Sequence, residues 1–222
     1  MGTFRGFGQR AKGGETLTLE STGAVTFALQ AFVTLFVIMD PPGAIPIFLV
    51  LVADKPAKVR RRLAWQAAAV SFFVIAVFAL FGRVILDYLN ISMAALQAAG
   101  GLLLLLISLE LLTGRGADPV KTKDTNIALV PLGTPLLAGP GAIVATMVFA
   151  QRVHNSSHAV GLVIAVIAVH LAIAIALLTS TTILRVIRQA GVTLVARIAG
   201  LLLAAIAVQM VVDAIKAFTA SG

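Results

Sequence analysis

No cysteine occurs in the 222 residues, so disulfides, thiolate nucleophiles and Cys-ligated metals are excluded. Charge is scarce: 12% of residues are Asp, Glu, Lys or Arg, where a soluble domain carries about 25%. Aromatics are few as well, at 6%. The net charge of +8 therefore lacks the stacking residues that accompany nucleic-acid binding, and no nucleic-acid partner is expected. His154, His158 and His170 fall in no His-x-x-His or His-Glu pattern, which leaves no zinc motif. What the chain has in abundance is apolar length. Hydrophobic residues make up 59% of it and the mean hydropathy is +1.04, the composition of an integral membrane protein in contact with a lipid bilayer.

A helix needs about 20 apolar residues to cross the hydrocarbon. Charged residues delimit six such runs. They extend from about Gly23 to Ala53, Arg62 to Arg83, Asp87 to Glu110, Asp124 to Arg152, His158 to Arg185, and Val192 to Lys216. Long unbroken runs exclude barrel strands, which are shorter and alternate. Residues 1–22 are Gly-rich, mixed in charge and aperiodic. They read as a disordered tail, and not as a signal peptide, because the apolar run that follows is too long for an h-region.

Basic residues set the expected orientation. Lys55, Lys58, Arg60, Arg61 and Arg62 follow span one; Arg115, Lys121 and Lys123 follow span three; Arg185 and Arg188 follow span five, with Arg197 just beyond. These face the cytoplasm in this reading. Arg83, Arg152, Lys216 and the tail's Arg5, Arg10 and Lys12 lie opposite. The chain is then a multi-pass protein of the cytoplasmic (inner) cell membrane with both termini outside.

Pro-Gly-Ala-Ile occurs twice, at 42–45 and at 140–143, each time inside an apolar run. Proline removes an amide donor and clashes with the preceding turn, so spans one and four should both be broken. A second echo joins spans three and six: Ala99-Gly100-Gly101-Leu-Leu-Leu against Ala199-Gly200-Leu-Leu-Leu. Three spans per half would insert the second half upside down. The predicted fold is thus all-α, with six transmembrane helices as a 3+3 inverted repeat, repeat one at about 23–113 and repeat two at about 125–218 within a membrane domain of 23–218. Interrupted spans at matching positions in two halves point to a transporter's binding site.

Asp40-Pro-Pro-Gly43-Ala-Ile-Pro46-Ile-Phe48 resembles the Asp/Asn-Pro-x-Gly-x-x-Pro-x-Phe signature of the MarC family of bacterial and archaeal integral membrane proteins. Ile91 to Gly101, Val130 to Gly141, and Ala196 to Gln209 are similar to that family too, so the likeness covers about 24–218. The family takes its name from a multiple-antibiotic-resistance locus. Archaeal relatives look like transporters of small neutral amino acids, and the wider superfamily includes the lysine exporter. The resemblance implies a secondary transporter, with substrate and direction open; no cofactor is expected beyond a coupling ion, Na⁺ or H⁺.

A broken helix exposes carbonyls where its first half ends and amides where its second half begins. The amide end attracts anions and the carbonyl end cations. In span four, Gly139, Gly141 and Ala142 offer amides without side-chain competitors, suited to a substrate carboxylate. In span one, Asp40 with its neighbouring carbonyls suits an amine, Na⁺ or H⁺, and Pro42, Gly43 and Thr134 complete the expected substrate site. Asp40-Pro41 is also an ordinary N-cap followed by proline at the first helical position, which would fill those amides itself.

Elsewhere functional and structural readings stand side by side. Glu110 and Gln209 occupy equivalent repeat positions and suit a gate, although Glu110 near the surface reads more simply as solvated. His170 suits a proton relay or a neutral hydrogen-bonded core histidine. Arg197 is expected to snorkel to the interface, and Asp213 and Lys216 to be surface charges. Gly100, Gly101 and Gly200 should let spans three and six approach closely. Thr179 to Thr182 should cap carbonyls at the end of span five. The run Lys55–Arg62 could hold anionic lipid, but orientation explains it without further function. Ser71, Ser92 and Ser108 have no clear partner but a distant His170, and Asp40 is the lone central carboxylate, so no enzyme is expected. The leading function is transport of a small solute, a small neutral amino acid, by alternating access. The alternatives are an exporter of another small metabolite, or a membrane scaffold without transport. A homo-oligomer is compatible with either.

Overall fold

The computed structural model describes residues 8–113 and 137–221. The described residues form seven helices and no strand: α1 Gly8–Met39, α2 Pro41–Leu51, α3 Ala57–Tyr88, α4 Met93–Thr113, α5 Pro140–Gln151, α6 Ser156–Leu178 and α7 Ser180–Ser221. Among the described residues, five spans are long and apolar enough to cross a membrane, with α1 and α2 together forming the first from Gly23 to Leu51. Helix α5 is apolar but shorter, at 12 residues.

Local chemistry sets the boundaries. Helix α3 ends in a reversal where Ile91 N–H donates to Leu86 O at 3.0 Å and Asn90 adopts φ 53°, a left-handed conformation that asparagine tolerates. Ser92 then accepts from Ala95 N–H at 3.1 Å and starts α4. Asn155 starts α6 in the same way, accepting from His158 N–H at 2.8 Å. Thr179 closes α6 by donating its hydroxyl to Ile175 O at 2.6 Å, as expected for a capping threonine.

Small residues let the helices meet. A Cβ placed on Gly101 of α4 would lie 2.8 Å from Ala207 O of α7, and one on Gly200 of α7 would lie 3.0 Å from Leu111 Cβ of α4. The expected α4–α7 contact is present, made by backbone approach as in other membrane helix pairs. Helices α1, α2, α3, α5 and α6 share one buried apolar core that includes Leu35, Phe48, Ile75, Leu137 and Ile173. Outward faces are apolar as well: Leu80 is 75% exposed and Phe73 is 69% exposed. Such side chains make sense against lipid, where they need no protein cover.

Two boundaries differ from the sequence expectation. Helix α1 reaches upstream of Gly23 to Gly8, through part of the segment expected to be a disordered tail. The composition changes at Gly23, but residues such as Gln, Lys, Glu and Leu propagate a helix on either side of that point. The turn between the last two spans falls at Thr179, and α7 continues unbroken through Arg185 and Arg188, where a loop was expected. Charge marks where a chain leaves the hydrocarbon; it does not end a helix, and only Gly191 among residues 183–192 disfavours one.

Candidate functional site

The first break is centred on Asp40. Its φ and ψ of 41° and 65° are left-handed, so α2 leaves in a new direction from α1. Asp40 N–H donates to Phe36 O and Asp40 O accepts from Ala44 N–H, each at 3.1 Å, so the residue closes one helix and opens the next. Its Oδ1 accepts from Gly43 N–H at 3.2 Å. Pro41 and Pro42 have no N–H to offer. Every first-turn amide of α2 is therefore absent or bonded. The carbonyl side is the reverse, because Val37, Ile38 and Met39 lose the i+4 donors that a continuous helix would supply. Glycine at 43 is required by this arrangement: a Cβ there would lie 2.7 Å from Asp40 Cγ.

The second break opens α5. Gly139 is its N-cap in extended conformation, contributes no side-chain cap, and is followed by Pro140 at the first helical position. Ala142 and Ile143 both donate to Gly139 O, at 3.0 and 3.1 Å. Ala142, expected to offer a free amide, thus has its donor engaged, as a tightened first turn allows. The Gly141 amide makes no hydrogen bond among the described residues. Gly141 also packs: a Cβ on it would come within 2.6 Å of Leu104 Cγ on α4. Thr134 and the rest of span four upstream of Leu137 lie outside the described residues. Met39 and Ala44 at the first break and Leu137, Ala138 and Ala142 at the second belong to one contiguous buried core.

Beside α5 lies a cavity of about 310 Å³ between α1, α4, α5 and α7. Its polar lining is Thr34, Gln97, Arg152, Gln209 and Asp213. Gln97 is 8% exposed and its side-chain amide has no protein partner among the described residues, so it presents donor and acceptor to the cavity. Gln209 donates from Nε2 to Asp213 Oδ1 at 2.8 Å. Arg152 ends α5 and lies 5.9 Å from the centre of the Phe149 ring. Asp213, expected to be a plain surface charge, is half-buried and lines this cavity. Gln97 is the residue that sequence reasoning passed over. A primary amide within an apolar span is an intramembrane polar signal that could have found it.

Glu110 is exposed near the end of α4, while Gln209 is bonded within α7, and no hydrogen bond joins the two. His170 is buried; its Nδ1 lies 2.7 Å from Val166 O and its Nε2 3.2 Å from Ser71 Oγ. A carbonyl only accepts, so the neutral ring carries its proton on Nδ1 and accepts from Ser71 at Nε2. Ser71 is thus paired after all, across 99 residues. Helix packing made the pairing, and no local spacing announces it.

Apolar helices with lipid-facing surfaces and breaks inside the core define a polytopic integral membrane protein. The chain belongs to the MarC family of integral membrane proteins, whose sequence profile matches residues 25–219. It is 38% identical over 198 residues to the UPF0056 membrane protein MJ1677 of Methanocaldococcus jannaschii, covering 86% of this chain and 96% of that one. It is 30% identical to the UPF0056 membrane protein YhcE of Escherichia coli, over 83% of this chain and 90% of that one. No solved structure matches the chain.

Proposed function

We propose that this protein is a secondary transporter that moves a small neutral amino acid across the cytoplasmic membrane by alternating access. The observation that carries it is the pair of short helices, α2 and α5, each opened by Pro-Gly-Ala-Ile within the buried core. In hydrocarbon, interrupted helices persist where they are buried in protein or line a cavity. Their opposite character suits a zwitterion or a solute with its coupling ion: open carbonyls and the Asp40 carboxylate for an amine, Na⁺ or H⁺, and the uncapped start of α5 for a carboxylate. The adjoining cavity, with Arg152, Asp213 and the unpartnered Gln97, adds groups of both signs along an approach to α5.

In this proposal the two halves form a 3+3 inverted repeat, with the termini outside and one half rocking against the other. The Ser71–His170 pair is structural and the protein is not an enzyme. Nδ1 faces a backbone carbonyl instead of a carboxylate, and Ser71 is fully buried. The test is uptake of labelled glycine, alanine and serine into proteoliposomes under an imposed Na⁺ or H⁺ gradient. Saturable, gradient-driven accumulation above empty liposomes is expected. Folded protein that accumulates none of the three under either gradient would overturn the amino-acid assignment.

A further inference from the structure

A second polar site lies at the opposite end of α2 from its break. A cavity of about 170 Å³ opens where the start of α3 meets the α6–α7 turn, lined by Ala57, Arg60, Arg61, Ser180 and Thr181 against Phe48. Pockets for drug-sized ligands hold about 300–1,000 Å³, so this one suits a single small group.

Two helix N-termini converge on it. Helix α3 has Pro56 as its N-cap, no side-chain cap and no acidic residue in its first turn. Helix α7 likewise has no acidic residue in its first turn. The Thr179 hydroxyl goes to Ile175 O, and Thr182 and Ile183 donate to Thr179 O, which leaves the Ser180 and Thr181 amides at the open end of α7. Both ends carry the partial positive charge of a helix start. Arg60 and Arg61 add full charges, and no acidic side chain is among the lining residues.

Ser180 is the independent observation that a ligand belongs here. It is 2% exposed, it lines the cavity, and its hydroxyl makes no hydrogen bond among the described residues. Its donor and acceptor are uncommitted at the cavity wall, so an oxyanion seated there can accept from it. Membrane orientation asks only for basic residues in a loop. It does not account for uncapped helix ends, an uncommitted hydroxyl and two arginines around one cavity.

We propose that this cavity is a binding site for a phosphate group, held by Arg60, Arg61, Ser180 and the amides that open α7. The group is either the head of an anionic phospholipid or free phosphate. The site is separate from the transport reading and stands or falls without it.

The test is thermal unfolding of the full chain in detergent, titrated in turn with short-chain phosphatidylglycerol, inorganic phosphate, and phosphatidylcholine of equal chain length. Saturable stabilisation by phosphatidylglycerol alone identifies a lipid site, and stabilisation by inorganic phosphate identifies a soluble-anion site. Either supports the proposal. Arg60→Gln and Arg61→Gln should each weaken the active anion roughly tenfold, the value of one charge-assisted hydrogen bond. Ser180→Ala should weaken it severalfold with little effect on the unliganded melting temperature, and it reads the site even where an arginine variant folds poorly. Lys55→Gln and Lys58→Gln, in the same basic run but outside the cavity, should bind as the parent does. No saturable shift with either anion, an equal shift with phosphatidylcholine, an unaltered Ser180→Ala, or equal weakening by the lysine variants would each overturn it.

Discussion

The breaks before α2 and before α5 share a tetrapeptide, yet they finish their helix ends in opposite ways. Before α2, the chain supplies its own anion: the Asp40 carboxylate bonds Gly43 N–H, and the open groups are the carbonyls of α1. Before α5, glycine stands at the N-cap, no side chain closes the helix, and the Gly141 amide is left over. One carboxylate decides the difference. A duplicated motif can thus give two unlike ends, one suited to cations and the other to anions, without altering the four residues that are repeated.

The contrast can be broken at its packing. Gly141→Val should drive a side chain into Leu104 and destabilise the protein by about 1–3 kcal/mol, with loss of transport. Leu104→Ala in the same chain should recover part of the melting temperature, because the space it vacates is the space required. Thermal unfolding of single and double variants checks this.

At the first break, Asp40→Ala should cost about 1–2 kcal/mol, since it removes the cap and leaves alanine in a left-handed conformation. Asp40→Asn retains an acceptor for Gly43 and tolerates the same backbone, so its stability should stay within about 0.5 kcal/mol of the parent. If Asp40 also serves a cation, Asp40→Asn should reduce ion coupling more than substrate affinity. Equal loss of both would leave Asp40 as a cap alone. Away from both breaks, Ser71→Ala should cost about 1 kcal/mol for its hydrogen bond to His170 and leave transport rate unchanged.

The smallest change in stability should be the most informative one. Gly139→Ser would give α5 the side-chain cap that α2 already has, a gain of a few tenths of a kcal/mol. If the start of α5 receives a carboxylate, the variant should melt slightly higher and bind substrate more weakly. Unaltered affinity would remove that role from α5.

Much of this architecture could be read from residues alone because it rests on local chemistry. Apolar runs mark spans, Asp40-Pro41 marks a helix start, and Gly100, Gly101 and Gly200 mark a close crossing. What escaped depends on distance or on competing local forces. Ser71 bonds His170, and Gln97 lines one cavity with Arg152 and Asp213, through packing between helices that no spacing encodes. The continuity of α7 through Arg185 and Arg188 escaped because loop charge was read as loop structure. That the Ala142 amide is engaged escaped because the first turn of α5 tightens onto Gly139 O.

Absence of cysteine makes the central claim directly measurable, since any thiol introduced is the only one present. A single cysteine at Gly139 can be probed with a membrane-impermeant thiol reagent in right-side-out and inside-out vesicles, with and without transported amino acid. Alternating access predicts modification from either side, with the balance between the two shifted by substrate. A cysteine sealed from both sides, or modified equally from both whatever the substrate, would contradict a carrier built around these breaks.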